Sequence, residues 1–208
     1  PQGRDINESG PKSVTLVTVR DDRTFDIDER LTGLAQFERV PVDVTGLETW
    51  SEIVRKIGET LSAHRDAAMS PHLVARLLIS GSTSLSFRLR RDRDQLQAEA
   101  QEVARSIGKT WIDKVEVDCT LPQSLATSSS DPLLELRTLM HDQVLPSASF
   151  AEAVREIARE LEQQLPAESR RIFGEDDETF NAAIRRLSTK GVEEVLARLG
   201  NRHGEEPA

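Results

Sequence analysis

Residues 72–81 read HLVARLLISG, an almost unbroken apolar run that closes on a glycine. A run this short, bounded by a turn residue, predicts a strand buried on both faces. Working outward in both directions, FERVPVDVT (37–45) is a second strand carrying Phe37, Val40, Val42 and Val44. Pro41 has no N–H for a ladder, so this strand belongs at an edge or carries a bulge. Between the two strands, Thr49-Trp50-Ser51-Glu52 has the spacing of a capping box. Trp50, Ile53, Val54, Ile57 and Leu61 then recur on one helical face.

On the other side, SLSFRLRR (84–91) fits two periods. Leu85, Phe87 and Leu89 alternate as in a strand, yet Leu85 and Leu89 are also one helical turn apart. From Asp94 the pattern is helical, with Leu96, Ala100, Val103 and Ile107 on one face and Gly108 placed to end it. WIDKVEVDC (111–119) completes the series as a strand. The order strand–helix–strand–helix–strand predicts an α+β unit, a small sheet with helices on one face.

Ahead of it, SVTLVTVR and TFDID flank Asp21-Asp22 and read as a β-hairpin. Behind it, LPQSLATSSSDP (121–132) is a Ser/Pro-rich break, and an all-helical region follows. Its stripes are Leu133, Leu136 and Met140, then Phe150, Val154, Ile157, Leu161 and Leu165, then Phe180, Ile184 and Leu187, then Val192, Val195, Leu196 and Leu199. The expected division is 1–36, 37–120 and 121–208.

The chain has 208 residues and a net charge of −9, which speaks against general polyanion binding. Acidity is concentrated after residue 120, where 16 Asp/Glu face 10 Lys/Arg. Its single cysteine, Cys119, suits a reducing compartment, and no apolar run approaches the ~18–20 residues of a membrane span. A cytoplasmic location without membrane contact is the expectation.

The usual catalytic groupings are missing. His64, His72, His141 and His203 are scattered, with no metal-ligand spacing among them, and Cys119 reads as a small buried hydrophobe. The acidic run after Gly174 reads as a helix start. One basic cluster stands out, Arg88, Arg90, Arg91 and Arg93 in RLRRDRD. It supports phosphate contacts or, because Asp92 and Asp94 interleave it, a solvated face of local ion pairs.

Three stretches taken together resemble the SbcD/YhaO-type DNA repair exonucleases, calcineurin-like metallophosphoesterases. PQGRDINESGPKSVTLVTV resembles the segment closing their nuclease domain, through Gln2-Gly3-Arg4 and Glu8-Ser9-Gly10-Pro11-Lys12. FERVPVDVTG resembles the strand leaving that domain. HLVARLLISGSTSLSFRLRRDRDQLQAEAQEVA with WIDKVEV resembles their capping domain. Asp5, Ser13 and Ser86 depart from the pattern, standing where His, Gly and His are usual.

The resemblance implies a C-terminal portion cut after the last metal ligand. Residues 1–36 would be trailing strands of the phosphoesterase domain, and 37–120 the capping domain. The ligands of two divalent metals, manganese by analogy, would lie upstream, leaving this chain without nuclease activity or a cofactor of its own. Implied DNA contacts are Arg88, Arg90, Arg91 and Arg93, with Lys109 and Lys114. The implied partner is an SbcC-like or YhaN-like coiled-coil ATPase, met through Phe150, Val154, Ile157 and Leu161. Those helices equally suit a self-contained bundle. An interaction or homodimerisation module without DNA contact is the other reading; an independent enzyme is disfavoured by the absent nucleophile and ligands.

Overall fold

Helix α1 (Trp50–Ala67) begins where the sequence places its cap. Thr49 Oγ1 accepts from the Glu52 N–H at 3.3 Å, and the Glu52 carboxylate accepts from the Thr49 N–H at 3.0 Å. Two otherwise orphaned donors are thereby satisfied. At the other end Arg65 donates to the carbonyls of Ala68 and Ser70, at 3.2 and 2.7 Å, and so shapes the turn into the next strand. The computed structural model describes residues 2–122, 132–174 and 176–199. It divides the chain into two units, Pro1–Pro122 and Gln123–Ala208.

In the first unit three strands form one parallel sheet in the order β3 (Ala35–Asp43), β4 (His72–Ser82), β5 (Thr110–Thr120). Helix α1 connects the first pair; α2 (Ser86–Arg91) and α3 (Arg93–Ile107) connect the second. The ambiguous SLSFRLRR segment is therefore helical from Ser86 onward. Trp50 Nε1 of α1 donates to Glu99 of α3 at 2.8 Å, so both crossover helices cover the same face. This is the expected α+β arrangement. Gly108, with φ of 81°, ends α3 as its position predicts.

The core lies between that face and the helices. Val40 and Val42 of β3, Ala75, Leu77 and Ile79 of β4, and Val115 and Cys119 of β5 meet Ile53, Ile57 and Leu61 of α1 and Leu96, Ala100 and Ala104 of α3. Every one of these residues is 0–1% exposed. Pro41 sits on an edge strand, as a residue without a ladder donor must. β4 departs from expectation: only alternate residues are buried, and His72, Val74, Arg76 and Leu78 look away from the helices. Its second face is made by neighbours within the sheet, Val74 lying between Phe37 and Trp111, and Leu78 between Pro41 and Glu116.

A bulge in β5 opposite Ala75 and Arg76 shifts its parity. Thr110 and Ile112 face inward before it, Val115 and Cys119 after it. The extra residue, Asp113, pairs with Arg76 at 2.6 Å. Gln101 and Gln97 of α3 accept from the Ile112 and Val115 N–H groups at 3.1 and 3.3 Å, occupying donors an incoming strand would otherwise use. At the end of β4, Gly81 has φ of 119°, and a Cβ there would stand 2.5 Å from Thr45 Oγ1. Only glycine fits that approach.

The hairpin pairs β1 (Ser13–Val19) with β2 (Phe25–Leu31) in antiparallel register as a separate two-stranded sheet. It joins the α/β layer through a knot of backbone and amide contacts. The Gln2 side chain donates to Thr32 O and accepts from the Leu34 N–H at 2.9 Å. Lys12 O accepts from the N–H groups of Thr32 and Gly33 at 2.8 and 3.0 Å. Arg39 donates to Asn7 Oδ1 at 2.9 Å, and Ile6 is buried.

The second unit is helical: α4 (Pro132–Leu139), a π turn (Met140–Val144), α5 (Ala148–Gln164), α6 (Ala167–Arg170), a 3₁₀ turn (Arg171–Phe173) and α7 (Asp177–Leu199). Ser147 caps α5 by accepting from the Phe150 N–H at 3.2 Å. The acidic run does start a helix, with Asp177 and Glu178 in the first turn of α7 and Asp176 accepting from the Thr179 N–H at 2.7 Å. Ala158, Phe173, Phe180 and Ile184 form its apolar centre, and the two Phe rings lie 5.7 Å apart. Most of the Ser/Pro-rich break, and His203, fall outside the described residues.

Candidate interaction surfaces

The arginine cluster does not converge on one surface. Arg90 turns inward and donates to the carbonyls of Val117 and Cys119, at 3.3 and 2.7 Å, fastening α2 to the end of β5. Arg88 lies over the Trp50 ring at 4.9 Å and 3.6 Å from Asp92. Arg91 makes a two-pronged pair with Asp92, at 2.7 and 2.8 Å. That pair raises the Arg91 pKa and, against the opposing effect of burial, holds Asp92 below the usual carboxylate range. Arg93 is 3.9 Å from Asp94, a solvated contact.

Lys109 precedes β5, while Arg90 grips that strand's far end. The roughly nine residues between correspond to about 30 Å of extended chain. Lys114 lies on the sheet face turned from the helices, in register with Arg76 and 3.7 Å from Glu116. Arg88 and Arg91 thus share Asp92, Arg93, Lys109 and Lys114 lie in other settings, and Arg90 ties α2 to β5.

Among the described residues, two apolar surfaces are left open instead. On the hairpin, Val17 faces Ile27 and Val19 faces Phe25 across the ladder, and all four side chains share one face. They are 58–70% exposed. A two-stranded ribbon has no second layer of its own in which to bury such a patch.

The other surface runs between α5 and α7 as a groove of about 430 Å³. All four predicted partner-facing residues, Phe150, Val154, Ile157 and Leu161, line it. They are joined by Met140, Leu187 and Val195, which sequence periodicity places in separate stripes without bringing them together.

Beside the groove sits a charged group that the sequence reading passed over. Glu193 is buried on α7, and its Oε1 accepts from Arg137 at 3.1 Å and meets His141 Nε2 at 2.9 Å. Its Oε2 has no hydrogen-bond partner. The available signal was a glutamate inside the stripe Val192, Val195, Leu196, facing Arg137 of α4 and His141 of the π turn, four residues apart.

Among the described residues no three His, Cys, Asp or Glu side chains gather as a metal site. His72 stacks edge-on against Trp111, with ring centroids 5.2 Å apart. Cys119 is buried against Ile79 O at 3.7 Å, and burial pushes its pKa to about 11, the reverse of an activated thiol. Asp5, where the resembling family favours His, accepts from the Asn7 N–H at 2.7 Å and closes its own turn. No helix among the described residues is long and apolar enough to cross a membrane.

Residues 37–120 match the family model described as metallophosphoesterase YhaO, middle domain. The matched span coincides with β3 to β5 and their helices, and it likens this layer to a domain of a metallophosphoesterase. No curated protein and no solved structure matches the chain.

Proposed function

We propose that this chain is a non-catalytic part of a metal-dependent DNA repair exonuclease. The α/β layer shapes access of DNA to a metal site formed elsewhere, and the helical unit docks a coiled-coil ATPase of the SbcC or YhaN kind. The observation that carries the reading is the match of residues 37–120 to the YhaO middle domain. The open hairpin face supports it, since Val17, Val19, Phe25 and Ile27 suit strands that pack within a larger phosphoesterase sheet. The apolar groove supports the docking half, a helix laid into a groove being a common recognition mode.

In such a nuclease two divalent metals, manganese by family analogy, activate water and stabilise the phosphodiester transition state. The residues described here do not fit that pair, because no ligand cluster forms among them. The chain's own contribution is positional. Arg88, Arg93, Lys109 and Lys114 are exposed and would touch phosphates without reading bases. Arg90 and Arg91 would act through the fold.

The test uses the intact nuclease. Neutralising Arg88, Arg93, Lys109 and Lys114 together weakens DNA binding and lowers its salt dependence in fluorescence anisotropy. Unchanged affinity removes the DNA role. Manganese-dependent phosphodiesterase activity in the present chain alone would overturn the non-catalytic assignment. A cytoplasmic setting accompanies this reading. The acidity of the chain and the local pairing of Arg91 favour one alternative, an interaction or dimerisation module with no DNA contact. An ATPase complex that forms normally alongside absent DNA binding would select it.

A further inference from the structure

We propose that the groove between α5 and α7 receives a short amphipathic helix whose apolar stripe is flanked by lysine and arginine, and that it does not receive a second copy of this chain. The inference rests on the docking reading above and adds the chemistry of the docking segment. From Phe150 to Leu161 the α5 wall spans twelve residues, about 16 Å or three helical turns. An occupant of similar length fills it. Ile157, Leu161, Leu187 and Val195 are 44–59% exposed along the groove, so covering them removes apolar surface that the unit itself leaves in water.

Charge then selects among amphipathic helices. The two arginines of α5 are both turned to the start of α7. Arg155 donates to Asn181 Oδ1 at 3.1 Å; Arg159 reaches Asp177 at 3.5 Å and lies over the Phe180 ring at 5.9 Å. Glu156 and Glu160, one turn apart, fall on the opposite flank, next to Ile157 on the side away from α7. Both are exposed, and neither has an ion-pair partner among the described residues. The free rim of the α5 wall is therefore acidic, and a basic-flanked helix meets it with complementary charge.

The same geometry disfavours self-association. Two α5 helices packed antiparallel on their stripes set Glu156 and Glu160 of each copy against the same residues of the other. Such like-charge apposition costs energy. The excess of 16 Asp/Glu over 10 Lys/Arg after residue 120 adds long-range repulsion between copies.

The test measures fluorescence anisotropy of two labelled helical peptides with the full chain. They share one leucine stripe, flanked by lysine in one and by glutamate in the other. The lysine peptide is expected to bind roughly fivefold to tenfold more tightly at low salt, with the gap closing as salt rises. Glu156→Lys with Glu160→Lys inverts the preference. Ile157→Ser with Leu161→Ser abolishes binding of both, while circular dichroism confirms that the helices persist.

No binding, or no preference between the peptides, overturns the proposal. A dimer seen by light scattering and dissolved by the double serine variant overturns it in favour of a second copy. Failure here is separable from failure of the docking reading. An ATPase that binds wild type and the charge-reversed variant equally keeps the docking and sinks this inference. An ATPase that ignores the chain while the peptide preference holds does the opposite.

Discussion

The α/β layer and the helical unit are built from similar amounts of apolar sequence and use it differently. Around β4 the inward residues of three strands and the stripes of α1 and α3 close on one another, leaving Leu77, Ile79 and Leu96 fully buried. In the helical unit α5 and α7 meet along one edge of their stripes, and Ile157, Leu161 and Val195 stay about half exposed. A layer with helices on a sheet can complete its own core. Two helices can share only one seam, and the rest of each stripe waits for something else.

The comparison breaks most directly at the centre of the sheet. Leu77→Ala should cost about 3–5 kcal/mol in urea unfolding, because a cavity forms where neighbours are fixed on every side. A loss below about 1 kcal/mol would mean that this core is looser than its burial implies. Next in size is the buried carboxylate. Arg137→Met should cost about 2–3 kcal/mol by leaving Glu193 without its charged partner, whereas Glu193→Met should be neutral or stabilising. Equal losses from the two substitutions would refute that asymmetry.

At the groove the contrast sharpens in the other direction. Ile157→Lys should change stability by no more than about 0.5 kcal/mol, since the side chain stands largely in water already. A loss as large as that of Leu77→Ala would mean that the stripe is covered in the free chain. The smallest effect is one of pH. Hydrogen bonds from Thr49, side chain first, then backbone, lower the Glu52 pKa below its ordinary 4.5. The folded state binds this proton less readily than the unfolded one, so the contribution is complete above that value and is lost as pH falls through the folded pKa. Thr49→Ala should therefore flatten the acid limb of a melting-temperature profile and leave its neutral part parallel.

Local chemistry made much of this legible. The Thr49–Glu52 box, the stop at Gly108, the edge position of Pro41 and the order of strands and helices all follow from neighbouring residues. What was hidden depends on residues far apart in the chain. The run LVARLLIS looks doubly buried because aliphatic residues occupy both parities, but a covering layer over the second face is not encoded in the run itself. The four arginines look like one patch because they are close in sequence. In the fold one reaches β5, one reaches α1 and one turns to its neighbour. Glu193 was missed for a related reason: periodicity marks which residues share a face and is silent about the cations that come to meet them.

The burial of Cys119 carries a practical consequence. It is the sole thiol, it sits at the seam where β5 joins β4, and its high pKa suppresses the reactive thiolate. A thiol-modifying reagent reaches it only when that seam parts. The rate of its modification is accordingly a built-in clock for opening of the sheet. Run with and without an occupant in the helical groove, the clock reads whether events in the second unit are felt in the first.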